Sequence, residues 1–140
     1  KLVAKHAIDV EQRIHIHGPA PHDRILQAFL KAKIGLFSSR YEGCPIAGEE
    51  ALCLGCSLVG PPDVPSMQDL CAPHFGTLPQ SRRPGDTAQA LNSEIQLWSS
   101  GKRQPSFIAT SARHIFSARS ICTDILQVYT DGSAELKTGL

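Results

Sequence analysis

The segment Lys33–Gly60, KIGLFSSRYEGCPIAGEEALCLGCSLVG, holds the pattern that decides the fold of this chain. It opens with an apolar run typical of a buried strand, Lys33–Ser38, and it closes with a second short strand, Ser57–Gly60. Between them a helix is predicted over Ile46–Leu54, and Gly55 is the expected stop at its C-terminus. A strand, a helix and a second strand joined by short loops indicate a parallel βαβ unit.

The rest of the chain continues this alternation of strands and helices. Upstream, a strand and a helix are predicted over Arg13–His17 and His22–Lys31. Downstream, the predicted elements are a helix over Ser66–Cys71, an extended piece over Gly76–Pro79, a helix over Thr87–Ser99 and a helix over Ser106–Tyr129. The alternation predicts the α/β class, with a Rossmann-like three-layer α/β/α arrangement around a parallel sheet. In such sheets the ligand crevice lies beyond the carboxyl ends of the strands.

The composition favours one small globular domain. The chain has 140 residues, 41% of them hydrophobic, and a domain of that size buries roughly two thirds of the surface of its unfolded chain. The formal net charge is +1 without any block of like charge, so we expect no nucleic-acid partner. No apolar run approaches the ~20 residues that cross a bilayer, and we expect a cytoplasmic location. Five irregularly spaced cysteines indicate reduced thiols rather than a disulfide framework.

Three carboxylates lie close to the junction between the first strand of the unit and its helix. On a helical wheel, Glu49 falls at the edge of the apolar arc. Glu50 falls in the middle of that arc, between Ile46 and Leu54. A carboxylate in an apolar stripe is costly unless it is hydrogen-bonded or holds a ligand, so we expect Glu50 and the loop residue Glu42 to face one cleft. The alternative left open is that all three carboxylates only favour the positive N-terminus of the helix.

The same junction suits an anion. Gly43 gives the loop backbone conformational freedom, and Pro45 fits the first position of the helix. The N–H groups of Ile46 and its neighbours would form a positive helix end, ready for a phosphate. By contrast, we interpret the basic pair Arg82-Arg83 as a solvated loop rather than a phosphate ligand.

The run SSRYEGCPIAGEEALCLGCSLVG resembles the signature of retaining glycosyltransferases with the GT-B architecture, in particular those of family 4. The family pattern is a serine at a strand end, a Glu-Gly pair, a second glutamate after seven intervening residues, and a glycine before a short apolar strand. In this chain the matching positions are Ser38, Glu42-Gly43, Glu50-Ala51, Gly55 and Ser57–Val59. The segments RIHIHGPAPHDRILQAFLKAKIGLFSS, DVPSMQDL and FGTLPQSRRPGDTAQAL also resemble the family in the same order, so the resemblance covers about Lys1 to Tyr129.

The resemblance implies that these positions bind a nucleotide-diphosphate sugar. Glu42 would accept hydrogen bonds from hydroxyls of the donor sugar and is the implied catalytic residue. Glu50 would hold the ribose hydroxyls, and the backbone over Cys44–Ile46 would meet the diphosphate. The turn Gly18–Pro21 would border the nucleobase. The implied donor-binding set is Glu42, Gly43, Cys44, Pro45, Ile46, Glu50 and Gly18.

The resemblance also implies the architecture and the domain limits. Residues 1–129 would form a partial nucleotide-sugar-binding domain, which is the C-terminal half of a GT-B fold truncated at its N-terminus. Residues 130–140 would form a polar, disordered tail. The missing N-terminal domain of the same chain would bind the acceptor, and a missing Arg/Lys pair would neutralise the leaving diphosphate. Pro45 stands where many family members have glycine, and it removes one N–H donor from the phosphate loop.

The implied activity is the retaining transfer of a hexose from a nucleotide-diphosphate sugar to an acceptor hydroxyl. The donor would carry UDP, GDP or ADP, and the acceptor would be an unidentified glycan or lipid-linked glycan, as in polysaccharide biosynthesis. The resemblance implies no metal and no cofactor, because a helix N-terminus and basic side chains replace a cation in such sites. It leaves open a peripheral position of the full-length protein on the inner face of the membrane. The fragment alone is expected to be inactive.

Two other functions remain open from the sequence. The first is a non-catalytic, degenerate transferase-like module that binds a nucleotide or a protein partner. The second is metal binding by His15 and His17, which share a face of the predicted strand, or by Cys53 and Cys56. We interpret these four side chains as packed or exposed without a metal, because no further ligand is placed beside them by spacing.

Overall fold

The computed structural model describes residues 13–71 and 74–138 of the chain. In this part of the chain, short parallel strands alternate with helices. The elements in chain order are α1 His22–Lys31, β1 Ile34–Leu36, α2 Ile46–Cys53, β2 Ser57–Val59, α3 Pro65–Leu70, β3 Gly76–Thr77, α4 Pro84–Ser99, α5 Pro105–Phe116 and α6 Ala118–Thr138.

The described strands form an open parallel sheet in the order β1-β2-β3. Leu58 of the central strand lies opposite Gly35 of β1 and Gly76 of β3. All three residues of β2 are buried, which is typical of a parallel strand with a neighbour on each side. The α/β class and the parallel βαβ unit are therefore confirmed, and the arrangement is compatible with a Rossmann-like sheet.

Glycines allow α2 and α3 to approach the sheet closely. A Cβ atom at Gly48 of α2 would lie 3.0 Å from Leu70 Cδ1 and 3.6 Å from Leu58 Cδ1. A Cβ atom at Gly35 would lie 3.1 Å from Leu58 Cδ2. Leu58 thus fills the space that two glycines leave, and the βαβ unit packs through it.

The hydrophobic core lies around β2 and the helices that flank it. Its buried members are Ala51, Leu52, Cys56, Leu58, Val64, Met67, Leu70, Cys71, Phe75, Ile108 and Ala112. The helix α5 supplies the last two, and it packs mainly against α2. The core therefore extends from the βαβ unit to the C-terminal helices.

A buried ion pair fixes α4 to the sheet. Arg103 donates from Nε to Glu94 Oε2 at 3.0 Å and from Nη2 to Glu94 Oε1 at 2.6 Å. The same guanidinium donates to the carbonyls of His74 and Gly76, at 2.7 and 3.1 Å. Thr77 of β3 donates its hydroxyl to Glu94 at 2.6 Å. The strand β3, the helix α4 and the loop after that helix are therefore joined by one polar network.

The predicted strand Arg13–His17 is wrong, because residues 13–17 have no regular secondary structure. The alternation of Ile14 and Ile16 indicated a strand with one covered face, but these side chains are 51% and 92% exposed. A strand needs a hydrogen-bonded neighbour and a surface to cover, and among the described residues β1 pairs only with β2. The sequence also predicts the end of a helix over Lys1–Asp9, and those residues lie outside the described part of the chain.

The long C-terminal helix of the prediction is two helices. Ser117 adopts an extended backbone with φ −69° and ψ 145°, which ends α5. Its hydroxyl accepts the N–H of Ser120 at 3.2 Å and so caps the start of α6. The helix α6 continues through Thr138.

The five cysteines are free thiols, as predicted. Cys56 is buried and donates to the carbonyl of Phe29 at 3.2 Å, while Cys53 is partly buried. Burial raises the pKa of both thiols, so the C-x-x-C pair lacks the low thiol pKa of a redox motif. In the described part of the chain, every helix is too short or too polar to span a bilayer.

Candidate functional site

The loop between β1 and α2 lies at the carboxyl ends of the strands, where the crevice was expected. We call residues 39–45 the crevice loop. Its residues 40–43 line a cavity of about 440 Å³ with Asp63, Val64 and Pro65, which precede or begin α3. Glu42 and Gly43 are therefore part of the crevice wall. This location follows from the parallel sheet, in which successive strands deliver their loops to one edge.

The start of α2 offers fewer free N–H groups than the sequence suggested. Pro45 is buried, has no N–H, and accepts the N–H groups of Gly48 and Glu49 at 2.7 and 3.2 Å. The N–H of Ile46 already donates to the carbonyl of Cys44 at 3.0 Å. A diphosphate at this helix end would have to replace the Cys44 carbonyl to use the Ile46 N–H.

Cys44 and Glu49 form a contact within the junction. The thiol of Cys44 donates to Glu49 Oε1 at 3.1 Å, and both side chains are accessible to solvent. The hydrogen bond to Glu49, followed by the negative charge of that carboxylate, raises the pKa of the Cys44 thiol. Glu49, in the first turn of α2, is thus hydrogen-bonded to Cys44 of the crevice loop.

Glu50 does not lie in the middle of a buried stripe as the helical wheel suggested. The buried face of α2 consists of Gly48, Ala51 and Leu52, and Ile46 is 62% exposed. The difference arises because the helix turns Gly48 toward Leu58 of the sheet, where the close packing leaves no room for a larger side chain. Glu50 is partly buried beside this face.

Glu50 connects α2 to α1. Its Oε1 atom lies 2.7 Å from Nε2 of His22, the first residue of α1. The side chain of Glu50 is 26% exposed and that of His22 is 65% exposed, so the pair lies at the surface. Because His22 directly follows the turn Gly18–Pro21, the structure brings Glu50 to the end of the turn expected to border a nucleobase.

Gly18 lines a different cavity from Glu42. This second cavity, about 580 Å³, lies between the turn before α1 and the apolar side of that helix, with Ile25, Ala28 and Phe29 in its wall. Glu42, which was expected to contact the sugar, and Gly18, which was expected to border the nucleobase, therefore line separate cavities. The Glu50–His22 contact is the observed link between α2 and the start of α1.

Arg82 is a crevice residue that the sequence analysis interpreted as solvated. It donates from Nη1 to the carbonyl of Ser39 and from Nη2 to the carbonyl of Arg40, both at 3.0 Å. Its Nε atom donates to the carboxylate of Asp63 at 2.8 Å. The hydrogen bond from Arg82 lowers the pKa of Asp63, so this carboxyl is ionised at neutral pH. Arg82 also borders a small cavity of about 120 Å³ with Phe37 and Ser38.

The histidines considered as metal ligands do not form a cluster with other ligands. His15 and His17 stack with ring centroids 6.5 Å apart, and both are exposed. Across residues 13–71 and 74–138, no group of three or more His, Cys, Asp or Glu side chains is arranged to hold a metal ion.

Comparison with known proteins leaves the family of this chain undecided. No model of a known protein family matches it, and no curated protein sequence matches it either.

Proposed function

We propose that this chain is the nucleotide-sugar-binding part of a retaining glycosyltransferase with GT-B architecture. The observation that carries the proposal is the placement of two carboxylates. Glu42 lines the crevice beyond a parallel strand, and Glu50, after seven intervening residues, reaches the start of α1. This placement matches the spacing in the signature that the sequence resembles.

The chemistry of Glu50 suits a ribose. Paired ribose hydroxyls are donors, and a carboxylate accepts both of them. The hydrogen bond to His22 engages Oε1 and holds the carboxylate in one orientation. Among the described residues, the hydrogen bond of the Glu50 carboxylate is the one that Oε1 makes with His22, which leaves Oε2 for a ribose hydroxyl. We expect the ribose to lie between α2 and the turn that precedes α1.

The chemistry of Glu42 suits the donated hexose. In the proposed reaction, a hydroxyl of the acceptor forms a new bond to the anomeric carbon as the bond to the phosphate oxygen breaks. The electron pair of the broken bond leaves on the nucleoside diphosphate, and the proton of the acceptor hydroxyl is released. Glu42 holds the sugar by accepting its hydroxyl groups, which places the anomeric carbon beside the N-terminus of α2.

A non-catalytic nucleotide-binding module is the second candidate, and the start of α2 favours it. Pro45 has no N–H, and the N–H of Ile46 is taken by the Cys44 carbonyl. Such a module would keep the Glu50 contact with ribose but would bind the diphosphate weakly. It would therefore gain nothing from a hexose on the nucleotide.

The proposal is tested by titrating the chain with UDP, GDP and ADP, and with UDP-glucose, GDP-mannose and ADP-glucose, by NMR. We expect one nucleotide to bind and its hexose-linked form to bind more tightly. Glu50→Gln should weaken the binding of that nucleotide about tenfold or more, because it removes a charged acceptor. The control Asp69→Asn removes a carboxylate charge from the exposed side of α3, outside the residues that line the crevice cavity, and should retain the affinity.

Equal affinities of the wild type and Glu50→Gln would contradict the ribose assignment. Equal affinities for the nucleotide and its hexose-linked form would favour the non-catalytic module.

A further inference from the structure

Arg82 joins the loops that follow the three described strands. It belongs to the segment after β3, it pairs with Asp63 after β2, and it donates to two carbonyls after β1. We propose that Arg82 is a positioning residue whose guanidinium fixes the crevice loop in the conformation that presents Glu42. The benefit of this position for sugar binding rests on the function proposed above for Glu42.

The guanidinium has the right shape for this task. All three of its nitrogens are used: Nη1 and Nη2 bind the carbonyls of the adjacent residues Ser39 and Arg40, and Nε binds Asp63. Two parallel donors on one planar group match two successive carbonyls, whereas the three donors of a lysine ammonium radiate from one nitrogen and lack this fixed fork. Arg82 therefore restrains the direction of the loop backbone as well as its distance.

The backbone that carries Arg82 is itself fixed. The hydroxyl of Ser81 donates to the carboxylate of Asp86 in the first turn of α4, and it accepts the N–H of Arg83 at 3.2 Å. Pro84 then begins the helix. The guanidinium thus extends from a turn that is hydrogen-bonded to α4. Through Arg82, the crevice loop is therefore held at a fixed place relative to this helix.

Arg82 and Ser66 hold the crevice loop on both sides of Tyr41. Arg82 binds the carbonyls of residues 39 and 40, while the hydroxyl of Ser66 on α3 donates to the carbonyl of Glu42 at 3.3 Å. Tyr41, between these two anchors, is 91% exposed and contributes little packing. Hydrogen bonds to the backbone are therefore the main restraint on the segment that carries Glu42.

The pairing with Asp63 argues for a positioning role and against phosphate binding. The carboxylate of Asp63 lies against the guanidinium and balances its charge, and the two remaining nitrogens are engaged by backbone carbonyls. A phosphate would have to displace partners on each side of the guanidinium.

The test compares Arg82→Gln and Arg82→Lys with the wild type, and uses Arg83→Gln as the matched control. The NMR order parameters of the backbone amides are measured without ligand. We expect Arg82→Gln to lower the order parameters of residues 39–43 from about 0.85 to below about 0.6, with α2 and β2 unchanged. Arg82→Lys should lower them to a similar extent, because it keeps the charge but not the fork. Unchanged order parameters at residues 39–43 in Arg82→Gln, or an equal change in Arg83→Gln, would overturn the proposal.

A second measurement separates this proposal from the proposed function. Arg82→Gln should lower the affinity for the nucleotide sugar that the wild type binds. This loss should be about fivefold larger than the loss of affinity for the matching nucleoside diphosphate, because the Glu50 contact with ribose is preserved. Equal losses for both ligands would overturn the link to Glu42. If the wild type binds none of the nucleotides or nucleotide sugars, the proposed function fails, and the order parameters of residues 39–43 still decide whether Arg82 fixes the loop.

Discussion

Glu94 is the charged residue most completely enclosed in the described part of the chain, with no exposed surface. Burial alone would raise the pKa of this carboxyl. Hydrogen bonds from Arg103, Thr77 and Ser57 more than offset that effect and hold the pKa of Glu94 below its usual range. At neutral pH the pair is therefore ionised, and each partner depends on the other, since either charge alone would be buried without compensation.

We predict that this pair changes how stability depends on pH. The pKa of Glu94 is lower in the folded state than in the unfolded chain, where it is about 4.5. The contribution of the ionised Glu94 to the free energy of unfolding is therefore complete above about pH 4.5. It is lost as the pH falls through the lower, folded-state pKa. Arg103→Met should cost about 3–5 kcal/mol at pH 7, because it leaves a buried carboxylate without its cation.

Arg103→Met should also reverse the direction in which the stability of the protein changes with pH. Burial then raises the pKa of Glu94 above its unfolded value, so that the variant gains stability as the pH is lowered from 7 to 5, while the wild type does not. Urea unfolding at several pH values measures both curves, and Glu94→Gln is the control that cannot titrate. Parallel curves for the wild type and Arg103→Met would show that Arg103 does not set the pKa.

At the scale of elements, the parallel strands and most helix ends were predicted correctly, and the failures lie at Ser117 and at residues 13–17. Gly55 stops α2 with φ +94°, as its position in the sequence suggested. The prediction of one helix over Ser106–Tyr129 failed at Ser117, where no glycine or proline marks the break. The predicted strand Arg13–His17 failed because local alternation cannot show whether a neighbouring strand and a covering surface exist.

Two glycines with positive φ allow a matched test of the end of α2. Gly55 and Gly101 both lie in the left-handed region, with φ +94° and +73°. A Cβ atom at Gly55 would lie 2.9 Å from the Pro105 carbonyl oxygen, whereas at Gly101 nothing lies within 4 Å. Gly101→Ala should therefore lower the free energy of unfolding by about 1 kcal/mol, through the strain of the backbone alone. Gly55→Ala should lower it by about 3 kcal/mol, because the new methyl group also meets Pro105. Free energies of unfolding in urea that are equal for the two variants would contradict close packing between α2 and α5.

At the scale of the whole molecule, the residues around β2 hold the layers together. Leu58 contacts both sides of the βαβ unit and is fully buried, while Leu36 on β1 is 53% exposed. We predict that Leu58→Ala costs about 2–5 kcal/mol, since it removes buried methyl groups and leaves a cavity. Leu36→Ala should cost less than about 1 kcal/mol. The measurement is thermal and urea unfolding of both variants, and a similar cost for each would place the core elsewhere.

The candidate site could be predicted from the sequence only in part. The loop and the helix that carry Glu42 and Glu50 follow from local pattern, because a strand, a loop and a helix are consecutive in the chain. Two contacts that define the surroundings of these carboxylates could not be predicted. His22 is 28 residues from Glu50, and Arg82 is more than 40 residues from the carbonyls that it binds. Such pairs depend on how helices and loops meet in space, which spacing along the chain does not encode.

The contact between Trp98 and Ser57 makes the intrinsic tryptophan fluorescence of the chain informative about one junction. Trp98 is its single tryptophan, and its indole Nε1 donates to the hydroxyl of Ser57, on the central strand, at 2.9 Å. The ammonium of Lys33 lies 5.9 Å from the centre of the indole ring. The emission of this one fluorophore therefore senses the junction of α4 with the sheet. The wavelength and the intensity of this emission should change when α4 separates from the sheet, and no added label is needed.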